Sequence, residues 1–306
     1  MRPNFFLVGA PKCGTTGLSE YLRAHPNIFL THPKEPFYFA DDFPNLKFVK
    51  TEIEYENLFR QSQPTHLAAG EASAGYLYSR VALRNIRDYN PHARLLVMLR
   101  NPVDLVHAFH SQMVFSFDED EPEFSEAWNL QPLRARGLRV PPRCRTRQFL
   151  QYGKVGLLGD QVESLLQVFS RKQILFLIFD DLLKSPVQVY RTVLDFLELP
   201  DDHRTTFPRF NANKTHSLPR LAYLWQRKPS FLRTCVEKLK RQLGGNTNRI
   251  EDSFRRLFWK NVKRSPLPVP LRQELGELFS KDILKLGRLT GRDLSAWQTQ
   301  TKSNCR

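Results

Sequence analysis

Short apolar runs recur along this chain, and each is closed by a glycine, a proline or a charge. Phe5, Phe6, Leu7 and Val8 make the first run, which the pattern predicts to be a strand buried on both faces. A helix is predicted from Thr15 to about Ala24. Leu18, Tyr21 and Leu22 share one helical face there, and His25-Pro26-Asn27 ends it. Residues 28–30 read as a short second strand, followed by a polar, aromatic stretch to about Thr65. Residues 66–71 read as a strand end, 82–90 as a helix halted before Pro91, and 95–99 as another apolar strand. That strand closes on Arg100-Asn101-Pro102, and a helix is expected from near Val103. Residues 155–169 carry amphipathic helical spacing, 174–179 form a third apolar run, and 186–197 read as a helix. The last predicted helix covers 271–289, with Leu271, Leu275, Leu278 and Leu286 as its candidate core positions.

Strands alternating with helices predict an α/β fold with a central, mostly parallel sheet flanked by helices. The chain has 306 residues, a length that suits a single domain of this class. Two stretches depart from the alternation. Residues 115–150, acidic at 118–126 and rich in Arg and Pro at 134–147, read as an insertion or lid. Residues 209–264 read as a basic helical segment, with fifteen Lys and Arg against three acids, a net of +12.

The whole chain carries +15, so that segment dominates the charge. Such a face suits an anionic partner: nucleic acid, acidic glycan, nucleotide or membrane surface. A solvated face of amphipathic helices has the same composition. Apolar content of 41% supports a full core. No apolar run approaches the ~18 residues of a membrane span. The first residues enter a strand without the apolar stretch of a signal peptide, so a cytoplasmic location is the expectation. Cys13, Cys144, Cys235 and Cys305 are scattered without metal-ligand spacing, and no metal is expected.

The densest chemistry lies between residues 9 and 16. A strand ends at Gly9, a loop carries Lys12 and Gly14, and Thr15 and Thr16 open a helix. Backbone amides at a helix N-terminus point at an anion, and a lysine adds full charge, so this is a phosphate cradle. Gly9 and Gly14 have the separation of a Walker A loop, but Thr15 stands where its lysine belongs and the lysine is at position 12. Asp180-Asp181 after the third run does not make a convincing partner motif, so ordinary magnesium–ATP chemistry is disfavoured. Arg100 ends a second strand, and ligands of open α/β sheets bind beyond such ends. Lys12 with Arg100 therefore suggests a ligand with two anionic groups. Cys13 is either an activated thiol at a helix N-terminus or a small residue filling a tight loop.

Pro11-Lys12-Cys13-Gly14-Thr15-Thr16 resembles the 5′-phosphosulfate loop of sulfotransferases that use 3′-phosphoadenosine 5′-phosphosulfate (PAPS). Residues 95–100 with Asn101-Pro102-Val103-Asp104 resemble their 3′-phosphate strand and loop. Lys34-Glu35-Pro36 resembles the catalytic segment of the heparan sulfate branch. Gly70-Glu71-Ala72-Ser73 and residues 174–197 are similar to later blocks of the family, in family order. The resemblance implies a P-loop-like three-layer fold and transfer of a sulfuryl group from PAPS to a hydroxyl or amine, leaving adenosine 3′,5′-bisphosphate (PAP), without a metal.

By the same resemblance, Pro11, Lys12, Cys13, Gly14, Thr15 and Thr16 bind the donor, with Lys12 also catalytic. Arg100 takes the 3′-phosphate. Glu35 is the candidate general base, with His66 second and Glu71 third. The chain also departs from the pattern. Ala108 replaces a phosphate-binding serine, and Ser111 one turn on is the candidate substitute. Lys214 falls where the family closes a basic loop over the nucleotide. Position 17 is Gly, position 37 Phe and position 72 Ala, which loosens the acceptor assignment more than the donor's. A P-loop-type nucleotide kinase and a non-catalytic polyanion or nucleotide binder are the alternative readings.

Overall fold

The computed structural model describes residues 1–208, 214–216, 259–262 and 264–299. Five strands form one sheet: β1 (Phe5–Gly9), β2 (Ile28–Leu30), β3 (Ala68–Ala72), β4 (Arg94–Leu99) and β5 (Ile174–Ile178). Their order is β2-β3-β1-β4-β5, and every pairing is parallel. The apolar runs fit this arrangement, since a parallel sheet covered by helices on both faces buries both sides of each strand. Phe5, Phe6, Leu7, Val8 and residues 95–99 are at most 1% exposed.

Helices α1 (Thr15–Arg23), α2 (Glu52–Asn57), α3 (Ala82–Tyr89) and α4 (Pro102–Phe115) connect the first four strands and leave the fourth. Asn101 caps α4 by accepting from Val103 N at 3.0 Å, and Pro102 fills its first turn, where no amide hydrogen is needed. Residues 115–150, the stretch expected as an insertion and called so below, carry α5 (Phe124–Asn129) and α6 (Gln131–Ala135). Then come α7 (Tyr152–Gly156), α8 (Leu158–Leu166), α9 (Phe179–Lys184), α10 (Pro186–Leu197), α11 (Val269–Thr290) and α12 (Ser295–Thr299).

The stretch 155–169 is two helices rather than one. Leu157, at ψ 73, breaks the winding, and the freed amides of Gly159 and Asp160 donate to the Asp282 carboxylate on α11 at 2.7 and 3.1 Å. A cap supplied from 122 residues away leaves no mark in local spacing. On α11, Leu275 and Leu286 are buried and Leu271 is partly so, but Leu278 is 55% exposed and leaves the expected core. Within 209–264 the described residues are not helical: β6 (Lys214–His216) pairs antiparallel with β7 (Trp259–Asn261). The other residues of that segment's expected helices lie outside the described residues. Among the described residues no helix is long and apolar enough to cross a membrane.

Candidate active site

β1 lies between β3 and β4. The chain leaves β1 for β2 on one side and crosses from β3 to β4 on the other, so the loops after β1 and β4 part company. Crevices form at such switch points. A cavity of about 890 Å³ opens there, lined by residues 11, 12 and 14–16, the Lys34–Glu35 segment, Arg100, α4, the insertion and Arg264.

The first wall is cationic. Gly14 caps α1 at φ +89, a conformation that favours glycine, and a Cβ there would lie 2.7 Å from the Phe179 ring. The close ring is also the seat of Arg100, whose guanidinium carbon sits 4.6 Å from the Phe179 centroid. Arg100 Nη1 donates to Lys12 O at 3.3 Å, which ties the two loops together. Lys12 has φ +60, and its Nζ donates to Gln112 Oε1 of α4 at 3.2 Å. Burial, then the neighbouring Arg264, Lys34 and Arg100 charges, lower the Lys12 pKa to about 8, with Glu35 acting the other way. Arg264 Nε donates to Ser111 Oγ at 2.9 Å, and its pKa is lowered by burial and by Arg100. Lys12, Arg100 and Arg264 make no ion pair among the described residues, and cations crowded together in this way make a site preorganised for an anion.

The second wall carries Glu35. Its amide donates to the carbonyl of Ala72, the last residue of β3, at 3.0 Å, and its carboxylate pairs with Lys34 Nζ at 3.0 Å. Glu35 and Phe37 both have positive φ, at 63 and 53. Non-glycine residues in that region are held by their surroundings at a cost, and together with Lys12 they line the same cavity. Gly75 makes room for Phe37, since a Cβ there would lie 2.7 Å from its ring.

The third wall is the insertion, through Ser116, Asp118, Arg145, Thr146 and Phe149. Its opposite charges cancel internally. Arg145 Nε lies 3.0 Å from Asp118 Oδ1, and Arg145 N donates to the same oxygen at 3.0 Å. Burial raises the Asp118 pKa, but the Arg145 hydrogen bonds outweigh it and hold the carboxyl below its ordinary value. Arg134 and Glu119 pair with both side chains fully buried, and Tyr152 Oη donates to Glu119 at 2.6 Å. Adjacent acids thus bind two different arginines, fastening the acidic and arginine-rich halves of the insertion to each other. Phe37, Phe109, Met113, Phe149 and Leu46 give the cavity an apolar floor.

Residues 2–265 match the model of the sulfotransferase domain family. This chain belongs to that family. The fold agrees with a solved sulfotransferase from Alicyclobacillus acidocaldarius at a TM-score of 0.70 and 29% identity, covering 97% of this chain and 99% of that one. The bifunctional heparan sulfate N-deacetylase/N-sulfotransferase 1 of Caenorhabditis elegans is 22% identical over 92% of this chain and 28% of its own length. Human carbohydrate sulfotransferase 15 is 25% identical over 64% of this chain and 44% of its own. The chain therefore spans between a quarter and half of these curated relatives.

In this sulfotransferase domain, Pro11, Lys12, Gly14, Thr15, Thr16, Arg100 and Glu35 meet in one cavity. Cys13 does not line it. It is fully buried, its thiol donates to Pro11 O at 3.4 Å, and burial pushes its pKa far up, which removes the reactive-thiol reading. His66 lies before the N-terminal end of β3, at the sheet end opposite the cavity. Its Nδ1 accepts from Gln63 N at 2.6 Å and its ring packs on Phe29, so it is out of reach as a base. Ser111 reaches the site through Arg264. Lys214 begins β6, and its side chain lies outside the described residues. Gln112, Arg145, Phe179 and Arg264 are site residues that local spacing did not mark. The apolar run 174–179 takes in Phe179, but β5 ends at Ile178 and Phe179 opens α9.

Proposed function

We propose that this chain transfers a sulfuryl group from PAPS to a carbohydrate hydroxyl or amine, releasing PAP. The carrying observation is the convergence of Lys12, Arg100 and Arg264 on one wall of a cavity whose other wall holds Glu35. The donor set suits a nucleotide with two separated anionic groups. Amides of Gly14, Thr15 and Thr16 with Lys12 form the cradle for one, and Arg100 and Arg264 provide guanidinium forks for the other. Phe179 beneath Arg100 holds that fork in place.

PAPS supplies an activated sulfuryl group. Lys12 lends positive charge to the cradle side of the cavity, where leaving-group charge would develop. Glu35 accepts the proton that the acceptor must lose, and Lys34 holds its carboxylate in place. The wall formed by Phe109, Phe149 and the Asp118–Arg145 pair shields the reacting centre from water and offers both stacking surface and a charged fork to a sugar. Carbohydrate acceptors are further supported by the relatives named for heparan sulfate and carbohydrate sulfation. The basic segment is read as an aid to holding an acidic glycan.

Calorimetric titration with PAP and ATP, with and without Mg²⁺, tests the donor. The reading expects metal-independent PAP binding, weaker ATP binding and loss of PAP binding in Arg100→Ala. Preference for Mg–ATP overturns it in favour of a kinase.

A further inference from the structure

Three alternate amides of the segment that carries Glu35 end on one neighbouring stretch. Glu35 N donates to Ala72 O at 3.0 Å, Phe37 N to Ser73 Oγ at 3.2 Å, and Phe39 N to Tyr76 Oη at 3.3 Å. A paired strand would offer backbone carbonyls at such positions. Here β3 has stopped at Ala72, and the second and third acceptors are side-chain hydroxyls. A hydroxyl rotates, so it fixes an amide only as well as it is itself fixed.

One side chain fixes both. Ser73 Oγ donates to Glu71 Oε2 at 3.1 Å, and the Tyr76 hydroxyl bonds the same carboxyl. Tyr55 Oη reaches Glu71 Oε1 at 3.5 Å. Glu71 is fully buried, lies outside the cavity lining and makes no ion pair among the described residues. An unpaired buried carboxyl is costly, so packing alone does not account for it. Burial raises its pKa to about 8 despite the three hydroxyls.

We infer that Glu71 is a positioning residue for Glu35: its carboxyl locks the Ser73 and Tyr76 hydroxyls, which hold the Phe37 and Phe39 amides and so keep Glu35 on the cavity wall. This rests on the reading of Glu35 as the base.

The test compares wild type, Glu71→Ala, Glu71→Gln and Ser73→Ala. Hydrogen exchange of the Phe37 and Phe39 amides should quicken at least about tenfold in Glu71→Ala while β1 amides keep their protection. Turnover of radiolabelled PAPS with the glycan that the wild type sulfates best should fall about ten- to hundredfold in kcat. The Kd for PAP should hold within about twofold, because the cradle is untouched. Glu71→Gln, the same size and neutral, should recover most of the rate. In a Glu35→Gln background, Glu71→Ala should cost less than about twofold more, because the two act as one unit.

Unchanged exchange of Phe37 and Phe39, or an equal loss in the Glu35→Gln background, overturns the inference. A wild type that sulfates no acceptor sinks the functional reading instead. A Glu35→Gln variant at full rate sinks the base assignment. Should Glu71→Ala fail to fold, Ser73→Ala, which removes a single hydroxyl, decides by the same measures.

Discussion

Arg264 Nε donates to Ser111 Oγ at 2.9 Å, joining residues 153 positions apart at the rim of the cationic wall. Ser111 Oγ in turn donates to His107 O at 3.1 Å, so α4 fixes the hydroxyl and the hydroxyl fixes the guanidinium. Where the family resemblance leads one to expect a serine at position 108, this chain has alanine and an arginine held one turn further on. Loss of a charged hydrogen bond costs about 1.5–3 kcal/mol, so Arg264→Ala should weaken PAP binding roughly ten- to hundredfold. Ser111→Ala should weaken it less, because the guanidinium stays. Calorimetry on both variants checks the order. Equal losses would mean that Ser111 contacts the nucleotide itself.

Lys12 makes donor binding pH-dependent. Its pKa stands at about 8, below the ordinary 10.5, because burial and neighbouring cations disfavour the charge. An anion favours the charged form, so PAP should bind best below about pH 8, lose affinity as pH rises through that value, and take up a proton on binding near it. Titrations in buffers of different ionisation enthalpy measure that uptake. Lys12→Ala should bind more weakly and flatten the profile.

Strand and loop positions were legible where the signal is local. The run at Phe5, the lysine at position 12 and the arginine ending β4 all sit within a few residues of the features that give them meaning. Arg264, Gln112 and Arg145 were not legible, because their roles arise from contacts between distant elements. Gln112 matters only because α4 passes 3.2 Å from Lys12 Nζ. The acidic run at 118–126 and the arginine-rich run at 134–147 stand apart in sequence, and only the fold shows that Asp118 meets Arg145 and Glu119 meets Arg134. His66 precedes the N-terminal end of β3, whereas the cavity lies beyond the carboxyl ends of the strands, so its place in the sheet separates it from the site.

Glu71 sets a pH dependence of stability. Its pKa in the fold is about 8, raised from the ordinary 4.5. A raised pKa means that its contribution is complete below the unfolded value and is lost as pH rises through about 8. Thermal melts of wild type should therefore fall with rising pH across that window, and Glu71→Gln should fall less. Parallel curves for the two would contradict the assignment.

Asp118→Ala removes the acceptor for both the Arg145 amide and its side chain. The variant should lose about 1–3 kcal/mol of stability, from the buried bonds left unmade. It should also raise the KM for acceptor while leaving the Kd for PAP unchanged, since the pair lies on the wall away from the cradle. Kinetics with PAPS saturating separate the two effects.

The most direct test of the central claim is transfer of radiolabel from PAPS to a panel of glycans, with wild type and Glu35→Gln side by side. The account predicts labelled glycan with wild type, and turnover at least about tenfold lower with Glu35→Gln at an unchanged Kd for PAP. Label that never leaves the donor, or equal turnover by the two proteins, would contradict it.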